Sequence, residues 1–249
     1  MKPAITYEII EVSLLAGKIM LQGGAETYRV EDTMSRISAA YGISTSHCYA
    51  TPTALIFSME GENPTKLVRI SERSTDLNKV TLVNGISRQI SAGELSAQEA
   101  LTSLKEIERA GHTYPIWLQI FSAFISSGCF LIMFQGQWND FLLACLAGGL
   151  GFSALIYLHK LLEMKFFAEF LSSFIIGLVA ILTVRTGIGL EVDKIIIGSV
   201  MPLVPGLLIT NAVRDLIAGH LMAGVAKGAE AFLTAFAIGI GIAATFIIF

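Results

Sequence analysis

The sequence predicts a membrane α-helical bundle of about five transmembrane helices with an N-terminal cytosolic α+β domain, and three observations carry that prediction. Of the 249 residues 53% are apolar and only 15% charged, with a mean hydropathy of +0.66, whereas a soluble domain carries about a quarter charged residues. The charge is uneven: residues 1–115 hold 24 of the 37 Lys, Arg, Asp and Glu side chains, and residues 116–249 hold 13. Five stretches of the second half are apolar and approach the ~20 residues that cross a bilayer. The natural division is residues 1–114 as an ααβββαα domain and 115–249 as the membrane domain.

Within the first domain, helix and strand periods alternate. Ile5, Ile9, Val12, Ala16 and Ile19 form one helix face that stops at Gly23-Gly24. Val30, Met34, Ile37 and Tyr41 repeat the pattern up to Gly42. Strand-like runs follow at Ser44–Ala50, Ala54–Glu60 and Lys66–Ser71. Thr51-Pro52-Thr53 and Gly61-Glu62-Asn63-Pro64 separate them, which suggests an antiparallel meander. Helices at about Asp76–Ile90 and Ala97–Ala110 complete the domain. The second opens on Ser96-x-x-Glu99, a capping-box pattern, before His112–Pro115 leads to the membrane. Glu8, Glu11 and Lys18 interrupt the first apolar run, so it is no secretory signal, and the domain is expected to stay in the cytosol.

The expected spans are 116–134, 141–158, 166–184, 195–213 and 231–249. With the N-terminus inside, the cytoplasmic loops carry Lys160, Lys165, Arg214 and Lys227 against Arg185 and Lys194 outside, which places the C-terminus outside. Small residues recur at four-residue spacing, as Ala144/Gly148 and Ala147/Gly151 in the second span and Ala235/Gly239/Ala243 in the fifth. Such ridges suit a compact bundle or a subunit interface, including one between copies of this chain.

Several function classes are disfavoured. The net charge of −3 splits into −2 and −1 between the halves, with no basic surplus for nucleic acid. Cys48, Cys129 and Cys145 and the histidines His47, His112, His159 and His220 match no metal or redox spacing, so neither metal nor cofactor is expected.

Two segments stand out. Gly23-Gly24-Ala25-Glu26-Thr27-Tyr28-Arg29-Val30-Glu31-Asp32 leaves backbone N–H groups free at the start of the second helix, an anion-binding arrangement. Its acidic residues also complement the helix dipole, the plainer reading. No Ser-His-Asp, Cys-His or metal-ligand spacing surrounds the segment, so no catalytic set is expected, with Thr27 and His47 the available candidates. The segment from Met201 to Asp215 breaks the fourth span with Pro202, Pro205 and Gly206. Freed carbonyls and helix ends can then line a cavity, as in transporters with discontinuous helices. Asn211, Arg214 and Asp215 share a face beyond the break, with Thr210 beside them. There Arg214 can pair a substrate carboxylate and Asp215 can hold the empty Arg214 or carry a proton. Alternatively both charges mark the end of the span among headgroups. Glu169 near the start of the third span and the Lys227/Glu230 pair are lesser candidates; Lys227 and Glu230, three residues apart, suit a pair with each other.

At these two segments the chain resembles the bacterial threonine/serine exporter family. The matching residues are the Gly-Gly-Ala-Glu-Thr run, Cys48-Tyr49-Ala50-Thr51-Pro52-Thr53, and Val204-Pro205-Gly206 followed by Asn211-Ala212-Val213-Arg214-Asp215. Long members continue into a second, smaller membrane module, so the resemblance implies the larger subunit of a split exporter with a separate small multi-span membrane partner. It also implies a small-molecule substrate, either a hydroxy amino acid or a dicarboxylate such as succinate. A hydrolase-like N-terminal domain is a further, weaker implication. The leading expectation is a gradient-driven secondary exporter, since no Walker A sequence is present. The alternatives are a membrane-anchored hydrolase and a non-transporting assembly subunit.

Overall fold

The computed structural model describes residues 3–59, 65–111, 114–161, 164 and 166–249, without the side chains of residues 3–5. The turn expected at Gly61–Pro64, the strand end at Glu60, His112 and Lys165 lie outside the described residues. The chain divides into two compact units, Met1–Thr113 with Ile209–Gly228, and Tyr114–Leu208 with Ala229–Phe249.

In the first unit, α1 (Pro3–Gln22) buries Ile9, Val12, Ala16 and Ile19, the face its periodicity predicted. Helix α2 (Thr27–Ala40) buries Val30, Met34 and Ile37. Tyr41 lies just beyond this helix, and its hydroxyl donates to the Leu95 carbonyl at 3.2 Å. Strands β1 (Ser46–Thr51), β2 (Ala54–Met59) and β3 (Lys66–Arg69) form the antiparallel meander in the order β1-β2-β3. Thr51 pairs with Ala54 across the first hairpin. Period-two alternation sends Leu55 and Phe57 into the core with Met34 and Ile37. Burial of each such side chain contributes about 1.5–3 kcal/mol.

Helix α3 (Leu77–Ser91) is capped by Asp76, which accepts from the Lys79 N–H at 3.1 Å. Helix α4 (Ala97–Arg109) starts with the expected reciprocal Ser96/Glu99 capping box. Val83 and Leu104 complete the buried face of this helix pair.

Two later segments belong to the same unit. They are the end of α9 (Gly206–Ile217) and the start of α10 (Leu221–Ile248), joined through Gly219 at φ +86°. Helix α10 begins at Leu221, well before the span expected at 231–249. The reason is packing: a Cβ on Gly224 would lie 2.6 Å from Leu216 Cγ, so glycine lets the two helices approach closely here. That close contact offsets the ~1 kcal/mol a helical glycine costs.

The second unit contains α5 (Ile116–Met133), α6 (Phe141–Leu161), α7 (Phe167–Arg185) and α8 (Val192–Val200), with most of α10. Its core gathers Leu131, Ala144, Ala147, Ile176, Ala180, Ile195 and Ile238. Large apolar side chains such as Phe121, Leu146, Leu150, Phe232 and Phe236 face outward, the surface that lipid covers. Among the described residues four helices are long and apolar enough to cross a membrane, or up to five if the bent pair Val192–Leu203 and Gly206–Ile217 counts as one span. At the end of the first member, Met201–Leu203 forms a 3₁₀ turn that includes Pro202. Val204 is extended, as the residue before Pro205 prefers, and helix resumes at Gly206.

The ridges of small residues are used unequally. Ala144, Ala147, Gly148 and Gly151 are buried in the bundle. The expected ridge Ala235/Gly239/Ala243 faces outward, while Ala231, Thr234, Ile238, Gly241 and Thr245 form the buried line of α10. Asp140 is fully buried and accepts from the backbone N–H groups of Leu190 and Glu191 at 2.9 Å each.

Candidate functional site

The first segment singled out in the sequence and the end of the second, from Ile209 onward, meet inside the first unit. The reversal between α1 and α2 requires both glycines. Gly24 has φ +89°, and a Cβ on Gly23 would sit 2.9 Å from the Asp76 carbonyl oxygen. This turn exposes the Gly24 carbonyl, which accepts from the Asn211 side-chain amide at 2.8 Å. It also leaves the Thr27 N–H, in the first turn of α2, without an intrahelical acceptor. The Asp215 carboxylate supplies one: Oδ1 accepts from the Thr27 N–H at 2.9 Å and Oδ2 from the Thr27 hydroxyl at 2.8 Å. An anion therefore occupies the site expected at this helix start, and it belongs to the chain itself.

Lys227, from the first turns of α10, closes the arrangement. Its Nζ donates to Asp215 Oδ2 at 2.7 Å, to Thr27 Oγ1 at 3.1 Å and to the Ala25 carbonyl at 3.4 Å. Thr27 and Asp215 are 0% exposed and Lys227 4%. A buried charge is tolerated only when paired and hydrogen-bonded, and each member here meets that condition.

Around this core lies a more open layer of charge. Glu26 Oε1 accepts from Arg214 Nη1 at 2.5 Å and Oε2 from Arg29 Nη1 at 3.2 Å. The Arg214 side chain is 61% exposed while that of Glu26 is 8% exposed. Burial acts to raise the Glu26 carboxyl, but its backbone hydrogen bond and the two arginines outweigh burial and hold the group below the usual carboxylate range. Glu31, one turn along α2, behaves oppositely. Burial pushes it above that range, and the nearby Asp215 charge adds to the effect. Opposing both are the Ala50 N–H, donating to Glu31 at 2.8 Å, and His220, whose Nδ1 lies 3.5 Å away.

The predicted residues thus have distinct positions. Gly24, Glu26, Thr27, Arg29, Asn211, Arg214 and Asp215 are joined by direct hydrogen bonds. Thr210 lies on the exposed side of α9, and Pro202, Pro205 and Gly206 shape the backbone before it. Two expected pairings differ. Asp215 binds Lys227 and Thr27, not Arg214, because its side chain points into the unit while Arg214 points out. Lys227 is directed to Asp215 instead of Glu230, since the tight turn at Gly219 sets α10 against α9. Sequence reasoning named Glu31 only as an acid complementing the helix dipole and Lys227 only as a lesser candidate paired with Glu230, and missed His220 as a member. The available signal was a lysine and an aspartate twelve residues apart across a Gly-His turn.

Chemically, the site is a carboxylate held by an ammonium, a hydroxyl and a helix N-terminal N–H, next to an arginine that presents part of its guanidinium outward. Among the described residues no group of three His, Cys, Asp or Glu side chains could hold a metal ion.

Residues 11–249 match the family described as "Putative threonine/serine exporter". The chain is 26% identical over 253 residues to a "Probable succinate transporter subunit YjjP" of Klebsiella aerogenes, covering 96% of this chain and 92% of that protein. It is 23% identical to a "Probable threonine/serine exporter" of Mycobacterium tuberculosis, covering 92% of this chain but 44% of the relative. A "Threonine/serine exporter" of Corynebacterium glutamicum is 22% identical, covering 90% and 48% respectively. No solved structure matches the chain.

Proposed function

Because the chain belongs to the threonine/serine exporter family, we propose that it is the larger subunit of a multi-pass exporter of small carboxylate-bearing metabolites, driven by an ion gradient. Threonine, serine and a dicarboxylate such as succinate are the substrate candidates, supported by the names of the relatives. The observation that carries this reading is Arg214, a guanidinium largely exposed and held at one edge by Glu26. A substrate carboxylate presents the same two-oxygen geometry as Glu26 and can exchange with it at Arg214. Asn211 and Asp215 hold the α9 segment that presents Arg214, and Thr210 lies beside it as a hydrogen-bonding candidate. Pro202, Pro205 and Gly206 set the break from which that segment starts.

The partner is a small multi-span membrane subunit. Supporting this, the chain covers nearly all of a relative named a transporter subunit but under half of two relatives named as exporters. The first unit is cytosolic in this reading, which rests on the basic residues of the loops.

Efflux of labelled threonine and succinate from cells expressing the chain with its partner tests the proposal. Arg214→Ala should lower efflux by about tenfold or more, and Arg214→Lys less, since lysine keeps the charge but loses the bidentate fork. Efflux unchanged in Arg214→Ala removes this residue from substrate handling.

One observation favours a second reading. A threonine hydroxyl within 3.1 Å of a lysine amine is the arrangement of a nucleophile beside a base. Against it, Thr27 is fully buried and its hydroxyl donates to Asp215. Turnover of amide or ester substrates by the purified full chain, abolished in Thr27→Ala, would establish the hydrolase.

A further inference from the structure

The second unit contains a polar site that the transport reading leaves unused. Glu169 sits in the first turn of α7 and is 8% exposed. His159, in the last turn of α6, places Nε2 3.2 Å from Glu169 Oε1. The other carboxylate oxygen, Oε2, is buried without a hydrogen-bond partner among the described residues, and so is the hydroxyl of Ser172 one turn along. Ser173, by contrast, satisfies its hydroxyl on the Phe170 carbonyl at 2.9 Å. Helices α6 and α7 pack closely here. A Cβ on Gly151 would lie 3.3 Å from the Ser172 carbonyl oxygen and would run into Ile176.

A buried polar atom with no partner costs several kcal/mol in an apolar medium. Two of them in one helix seam, beside an imidazole, call for a bound species that satisfies them. The imidazole favours a proton over a metal cation: it can relay a proton to the carboxylate, whereas two orphaned oxygens are too few for an oxygen-coordinated cation, and no group of three His, Cys, Asp or Glu side chains gathers here among the described residues. The His159 side chain is 46% exposed against 10% for Glu169, so the pair leads from the outer surface of the unit to its interior.

We propose that Glu169, relayed by His159 and supported by Ser172, is the proton-binding site through which a proton gradient drives the exporter. The claim rests on the exporter reading and names its coupling ion. In the step, the exposed His159 ring first takes up a proton from the aqueous side; its Nε2–H bond then breaks as an O–H bond forms on Glu169, leaving a neutral imidazole and a neutral carboxyl group. The neutral Glu169 then donates where it previously could only accept. Charged neighbours are few among the described residues. From α6 the facing titratable group is His159, with Lys160 adjacent and exposed. From α10, Gly241 meets Ser173 and Thr245 meets Gly177, and neither titrates. The buried side chains that α8 adds to the shared core include Ile195 and Ile196. On α7 itself, Arg185 closes the opposite end.

The test is an infrared pH titration of the full chain in phosphatidylcholine nanodiscs. Wild type should show a protonated-carboxyl band that is missing in Glu169→Gln, with its midpoint moved by about one pH unit in His159→Gln. Ser172→Ala keeps the charge and nearly the volume, and should move the same midpoint, which guards against misfolding of the glutamine variant. A spectrum unchanged in all three variants overturns the proposal. So does a midpoint that shifts when sodium chloride replaces choline chloride, which would identify sodium as the occupant. In cells, efflux of labelled threonine and succinate driven by an imposed pH gradient should fall about tenfold in Glu169→Gln. If the band behaves as expected but wild type exports neither metabolite, the exporter reading fails and the proton site stands. If wild type exports and Glu169→Gln keeps its full response to the pH gradient, the coupling role fails and the exporter reading stands.

Discussion

Asp215 caps the N-terminus of α2 across 188 residues of sequence, one carboxylate oxygen on the Thr27 N–H and the other on the Thr27 hydroxyl. A helix start usually finds its acceptor in a neighbouring side chain, but Glu26, at the N-cap position, makes no such bond. Glu26 instead turns to Arg29 and Arg214. The α9 segment is therefore part of the first unit's structure, and the predictions below follow from that dependence.

Lys227→Met should destabilise the chain by about 3–5 kcal/mol, because it leaves the Asp215 carboxylate buried without its cation. Adding Asp215→Asn should recover part of the loss, since the orphaned charge is then gone. Denaturant titrations of the detergent-solubilised chain measure both. A loss in the double variant equal to the sum of the losses in Lys227→Met and Asp215→Asn alone would mean that the pair is not coupled.

Thr27→Val removes the hydroxyl that bridges Asp215 and Lys227 while keeping the side-chain volume. The expected cost is roughly 1.5–3 kcal/mol, the range for a hydrogen bond to a charged group. Thr27→Ser should cost less than half of that. Melting temperatures of the two variants against wild type decide the matter.

Glu26 and Glu31 should give opposite pH responses. The folded state holds Glu26 below its ordinary value, so its stabilisation is present above that value and lost as pH falls through the lowered one. Glu26→Gln should flatten this acid limb. Glu31 is raised in the fold, so stability declines as pH climbs from the ordinary carboxylate value through the raised one. Glu31→Gln should remove that decline and gain on wild type toward neutral pH. Melting curves between about pH 4 and pH 8 check both signs.

In the second unit, Gly198→Ala should be costly and Gly239→Ala tolerated. A Cβ on Gly198 would stand 2.8 Å from the Leu131 backbone nitrogen, and a helix backbone cannot yield locally. About 1–3 kcal/mol of overpacking is expected. At Gly239 nothing lies within 4 Å, and alanine should gain up to ~1 kcal/mol of helix propensity. Thermal stability of the two variants in detergent provides the comparison.

Much of the fold was legible because it depends on local periodicity. The buried faces of α1 and α2, the hairpin at Thr51–Ala54 and the Ser96/Glu99 capping box all lie within a few residues of their own signal. The apolar stretches likewise mark the membrane-type helices, although the sequence does not show where α10 begins. Leu221 to Gly228 looks like a loop containing a lysine, and only the close packing of Gly224 on Leu216 makes it helix.

The sequence by itself determined that this chain has a charged N-terminal unit and a membrane-type helical part, and that Gly23–Thr27 and Asn211–Asp215 are unusual. Hydrophobic period and glycine–proline punctuation act over a few residues, so a single strand of text contains them. Tertiary structure alone decided that these two segments bind each other, that Lys227 neutralises Asp215, and that Arg214 faces outward against Glu26. Glu26 and Arg214, 188 residues apart, carry no sign of pairing in the sequence; burial selects the partner, because a desolvated carboxylate must find a cation and donors wherever the fold brings them.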